Sequence, residues 1–255
     1  MKLNNLDRLR PEAANDVREY VEELVGVLGE DATAVLAFGS VTGLDYVPGQ
    51  SDVNLALLVR TAELTLLDRC LEAVAAGFKR RIVAPLFLTR EYIARSQDVF
   101  PVEFLDMKET GVVLYGEDFL AGLELAPAWL RLECEQQLKS SLLRTRQAFL
   151  EIGRSKGGLE RVLTQSLNSL VPLFRAMLAM RGLELPRTKR EIVTSLCREL
   201  SVPDTAFQEI LMLRAAGENL KVGRGRDLLS DYVTAVEKLA SIVDTLEVEE
   251  VEEVE

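Results

Sequence analysis

Four residues within 38–59, FGSVTGLDYVPGQSDVNLALLV, have the types and spacing to do chemistry: Gly39, Ser40, Asp52 and Asn54. Glycine at position 39 lets the backbone approach a ligand closely, because no Cβ stands in the way. Ser40 offers a hydroxyl and a backbone N–H to a phosphate oxygen, and a helical turn starting there would add free N–H groups and a favourable dipole. Residues two apart on a strand share a face, so Asp52 and Asn54 project together while Val53 and Leu55 point the other way. Two polar side chains at the start of a buried strand are costly unless something binds them. A divalent cation carrying a phosphate ligand would satisfy both. A turn cap at Asp52 and a backbone hydrogen bond from Asn54 would satisfy them equally well.

The elements that must position these residues follow from hydrophobic spacing. Residues 11–28 read as a helix, with Pro11 near its start and Val17, Tyr20, Val21, Leu24 and Leu28 at helical intervals. Residues 33–38 and 53–59 read as buried strands around a loop rich in Gly, Pro, Asp and Ser. A helix is expected over 62–77. A third strand is expected over 82–88, where Pro85 demands an edge position or a bulge. A short helix over 90–96, a fourth strand over 99–107 (VFPVEFLDM) and a further short strand over 111–115 complete this half. From about residue 126 the pattern turns helical, with segments over 129–153, 159–181 (interrupted by Pro172), 187–200, 203–216 and 228–246. Strands before 116 and helices after 126 predict an α+β chain: a domain over 1–121, a helical bundle over 126–246 and an acidic tail over 247–255.

Composition bounds the chemistry. The 255 residues include no histidine, which removes histidine-based triads and the common zinc sites. Cys70, Cys134 and Cys197 show no metal spacing and suit free thiols in a reducing cytoplasm. A net charge of −11 argues against broad nucleic-acid binding, and no apolar run reaches the length of a membrane span. The remaining cationic candidates for a phosphate chain are Arg144, Arg146, Arg154 and Lys156, and Lys221, Arg224 and Arg226 in the glycine-rich stretch 216–227, read as a loop. Met177, Met180 and Met212 read as core filler.

Gly39-Ser40, a spacer, and Ser51-Asp52-Val53-Asn54-Leu55 together resemble the signature of the DNA polymerase β-like nucleotidyltransferase superfamily, in which Gly-Ser is followed by Asp-x-Asp on the next strand. The minimal and aminoglycoside nucleotidyltransferases, which carry a helical C-terminal domain, are the relatives most similar in pattern. The resemblance implies a nucleotidyltransferase-like mixed sheet with flanking helices, and Mg²⁺-dependent transfer of a nucleoside monophosphate from a nucleoside triphosphate, ATP first, to a small molecule or a protein. It implies two Mg²⁺ ions on three carboxylates. Asp52 matches the first and Asn54 the second. The third lies on a later strand, where Glu103 is the first choice and Asp106 the second. Asp52 and Glu103 would then carry catalysis, with Gly39, Ser40, Lys221 and Arg224 on the nucleotide. A homodimer is compatible with this pattern. The departure is Asn54, since an amide lends a metal a carbonyl oxygen but no charge. The sequence therefore also fits a non-catalytic module that senses a nucleotide or binds a partner, as in toxin–antitoxin-type assemblies.

Overall fold

The computed structural model describes residues 2–152, 157–216 and 222–248. The chain forms two compact units, Met1–Glu124 and Leu125–Glu255. No helix among the described residues is long and apolar enough to cross a membrane.

In the first unit, Pro11 opens α1 (Pro11–Leu28), where its missing N–H has no intrahelical partner to lose. Strands β1 (Ala32–Phe38) and β2 (Asn54–Val59) pair antiparallel, with Phe38 opposite Asn54 and Leu36 opposite Ala56. Helix α2 (Leu64–Phe78) returns the chain to β3 (Leu86–Leu88), which runs parallel to β2 at the sheet edge. That edge is the position Pro85 tolerates. Helices α3 (Arg90–Arg95) and α4 (Pro101–Thr110) follow, and β4 (Val112–Tyr115) closes the sheet antiparallel to β1. The result is a mixed four-stranded sheet in the order β3-β2-β1-β4. One core gathers Val35, Ala37, Leu55 and Leu57 of the sheet with Val17, Tyr20 and Leu24 of α1 and Cys70 and Ala73 of α2. The alternate residues of the strands, among them Leu36, Ala56 and Leu58, are buried as well, and α4 packs against β1.

The segment 99–107 corrects the sequence expectation. It is not a strand: residues 101–107 belong to α4. Pro101 occupies the start of the helix, and Glu103 lies in the first turn, where a negative charge suits the helix dipole. Pro101, Val102, Phe104, Leu105 and Met107 are buried, while Glu103 is exposed. Glu103 is thus not a carboxylate enclosed in an apolar strand.

Tyr20 of α1 lies against α2 so closely that a Cβ on Gly77 would stand 2.6 Å from its ring. Its hydroxyl is buried and takes no hydrogen-bond partner among the described residues. Burial, with smaller contributions from Cys70 and Glu23, pushes the phenol up to about 12. A group whose folded value is raised contributes stability that is complete below its ordinary value of 10.0 and is lost as pH climbs toward about 12. Tyr20→Phe removes an unsatisfied buried hydroxyl. It is expected to raise the stability of the first unit by about 1 kcal/mol at neutral pH and to flatten its loss between pH 10 and 12. Urea melts at both pH values check both effects.

The second unit contains α5 (Pro127–Ile152), α6 (Gly158–Met180), α7 (Lys189–Glu199), α8 (Thr205–Ala216) and α9 (Val222–Asp244). Helix α6 runs through Pro172 and packs against the other four. Phe174, Phe207 and Tyr232 stack edge to face, with centroids 5.5 and 5.6 Å apart. The Tyr232 hydroxyl meets the Ser166 Oγ at 2.7 Å, and Ser166 in turn meets Ser141 and Thr145 at 3.0 and 3.1 Å. Met177 is buried in this core, but Met212 is largely exposed rather than core filler. Residues 222–227, expected in a loop, are the first turns of α9.

Candidate functional site

Strand β1 ends at Phe38, and the chain leaves it through Gly39, whose φ of 76° lies in the left-handed region. Residues Gly39–Thr42 form a single 3-10 turn, the turn expected after Ser40. Two threonines hold it. The Gly39 N–H donates to Thr110 Oγ1 at 3.0 Å, and the Thr110 hydroxyl donates to the Asp106 carbonyl at 2.7 Å, tying the turn to the last turn of α4. The Thr42 hydroxyl donates to the Gly39 carbonyl at 2.7 Å. Asn54 faces this turn from β2, and its Nδ2 lies 3.3 Å from where a Cβ on residue 39 would stand. Glycine at 39 therefore answers both a backbone demand and a shortage of space.

Asp52 precedes β2 and is half exposed. Its Oδ1 accepts from Arg81 Nη2 at 2.8 Å. The same guanidinium donates from Nη2 to the Gln50 carbonyl at 2.8 Å and from Nε to the Ser51 carbonyl at 3.3 Å. The backbone completes the clamp, because the Val53 N–H donates to the Arg81 carbonyl at 2.9 Å. Ser51, buried, receives the Val47 N–H on its Oγ at 2.9 Å and closes the loop from inside. Nearby Tyr46 has its phenol pushed up by burial first, then by Asp16 and Glu12, with Arg81 opposing.

The fold thus brings Gly39 against Asn54 and Asp52 against Arg81, with Ser40 half-buried in the turn. Thr110 is the α4 residue that holds Gly39, and Glu103 lies seven residues earlier, about 10 Å away along the helix. Asp106 is half-buried on the same helix. Arg224 lies in α9 of the second unit, where Glu209 pairs with its guanidinium. Arg146 likewise pairs with Glu237. Lys221, Arg154 and Lys156 lie outside the described residues. A cavity of about 380 Å³ opens elsewhere in this unit, lined by Thr33, Val59, Arg60, Thr89 and Arg90 beyond the C-terminal ends of β2 and β3. No local spacing signals Arg81 or Thr110, since each acts on a residue remote in the chain.

The residues do not fit a carboxylate-held Mg²⁺ pair. Asp52 is already neutralised by Arg81, and Asn54 carries no charge. The strands after β2, Leu86–Leu88 and Val112–Tyr115, contain no acidic residue. Among the described residues no three His, Cys, Asp or Glu side chains cluster as a metal site.

No protein-family model matches the chain, and no curated protein sequence matches it. Among solved structures it is similar to spectinomycin adenyltransferase AAD(9) from Enterococcus faecialis, crystallised with ATP and spectinomycin. The likeness covers 88% of this chain and 98% of that one, at 13% sequence identity and a TM-score of 0.58. What that likeness establishes is the fold: a nucleotidyltransferase-like mixed sheet with flanking helices, followed by a helical bundle.

Proposed function

We propose that the chain is a nucleotide-binding module on a nucleotidyltransferase scaffold, in which metal-dependent transfer has been lost. One observation carries the reading: Asp52 is spent on Arg81 beside a neutral Asn54, and no acidic residue stands on β3 or β4. In enzymes of this kind bound metal ions neutralise charge that develops on the phosphates, and here too few carboxylates are free to hold them. Support for a nucleotide comes from the Gly39-Ser40 turn, held by Thr110 and faced by Asn54, and from ATP in the structural neighbour.

The test is titration calorimetry of the full chain with ATP and GTP, paired with a pyrophosphate assay in Mg²⁺ and in Mn²⁺. Binding without pyrophosphate above the protein-free control is the expected result. Pyrophosphate release that scales with protein concentration would restore Mg²⁺-dependent transfer to a small molecule or protein as the function.

A further inference from the structure

We propose that Arg81 is a phosphate-binding residue, whose Nη1 N–H groups take phosphate oxygens while Asp52 holds the rest of the guanidinium in place, so that nucleotide binding needs no metal. This inference rests on the nucleotide-binding reading above and concerns how that site recognises its ligand.

The guanidinium is fixed before any ligand arrives. Its Nε and Nη2 are used on Ser51, Gln50 and Asp52. Among the described residues its Nη1 donates to no protein acceptor, which leaves two N–H groups of a planar, permanently charged fork for another acceptor. Arg81 also holds a left-handed backbone, φ 58°, which is uncommon for a residue with a side chain, and it lies three residues past the end of α2, just before Ile82 pairs with Val53. Its position relative to the glycine turn follows from the sheet. Phe38, which precedes Gly39, pairs with the start of β2 from one side, and the Arg81 carbonyl receives the Val53 N–H from the other. Neighbouring strands lie about 4.8 Å apart, so the two backbones flank the start of β2 at a span of about 10 Å. A phosphate chain crossing that start reaches the Gly-Ser turn at one end and the free edge of Arg81 at the other. The occupant this chemistry selects is a nucleoside polyphosphate, because charge-assisted bonds from Arg suit phosphate oxygens.

In this arrangement Asp52 orients Arg81 but repels the ligand. In a metal-dependent site Asp52 would instead be indispensable. The two cases give opposite signs for one substitution, which makes Asp52→Asn the deciding variant. The experiment is ATP calorimetry on the full chain, in EDTA and in Mg²⁺, with thermal melts confirming that each variant folds. Wild type is expected to bind in EDTA at least as tightly as in Mg²⁺. Arg81→Gln is expected to lose about tenfold or more, Arg81→Lys to keep part of the affinity, and Asp52→Asn to gain about threefold. ATP binding that requires Mg²⁺, or that Asp52→Asn abolishes in a folded protein, overturns the role of Arg81 and leaves the nucleotide-binding reading standing. Absence of ATP binding in both buffers overturns that reading as well.

Discussion

The double variant Asn54→Asp, Arg81→Gln is expected to bind Mn²⁺ with a dissociation constant of about 10⁻³ M, whereas the wild type and either single variant stay at background. The reasoning is charge counting at one place. In the wild type the acidic residue leading into β2 is Asp52, and Arg81 pairs with it at 2.8 Å. Removing the arginine alone leaves one half-exposed carboxylate, too little for a hard cation. Installing Asp at 54 alone leaves its neighbour still paired. Only the double change gives two free carboxylates two residues apart, and such residues share a face at a spacing of about 7 Å. Aspartate has the shape of asparagine, so the contact with Gly39 is preserved. Proton relaxation of Mn²⁺-bound water reads the affinity directly. A double variant that stays at background would mean that positions 52 and 54 do not face a common site. Nucleotidyl transfer is not expected to return with the metal, because β3 and β4 still lack an acidic residue.

Much of the fold was legible because it is local. The spacing of Val17, Tyr20, Leu24 and Leu28 gives α1 its buried face, and the apolar runs on either side of the loop give β1 and β2. The failures have physical causes. In 99–107 the apolar residues are too dense to show a period, and Pro101, which sits at a helix start, is the helix signal that the strand reading passes over. In 222–227 two glycines, each worth about 1 kcal/mol against a helix, argued for a loop. Tertiary packing overrides them, since Leu228, Tyr232 and Val236 bury one face of α9 and Glu209 binds Arg224. The site divides in the same way. Gly39 and Asn54 belong to a turn and the strand after it, so their types and order are visible. The Asp52–Arg81 pair spans 29 positions and the Gly39–Thr110 bond spans 71. Both depend on how α2 and α4 return the chain to the sheet, which no local spacing encodes. The one charge that decides the chemistry of this site is therefore the one the sequence hides.

Gly116→Ala is expected to cost the first unit about 3 kcal/mol or more, because a positive φ and a backbone clash coincide there. Gly116 ends β4 at φ 71°, a conformation that costs an L-residue about 1–2 kcal/mol. Its Cβ would stand 2.0 Å from the Thr33 carbonyl oxygen and 2.9 Å from the Ala34 Cα. These are backbone atoms of β1, and neither can move without breaking the pairing of Val35 with Tyr115. Overpacking of that kind costs about 1–3 kcal/mol further. Against a total of about 5–15 kcal/mol for a domain, the loss is severe. Gly39→Ala shares the positive φ, but its Cβ meets only the end of the Asn54 side chain at 3.3 Å, so about 1–2 kcal/mol is expected there. Gly122→Ala, with nothing within 4 Å and no positive φ, is the neutral control. Urea melts give the ranking. Hydrogen exchange of the β1 and β4 amides locates the damage, because the loss at Gly116 should expose those two strands first. If Gly116→Ala melts with Gly122→Ala, β4 does not meet β1 in the register that places residue 116 under Thr33.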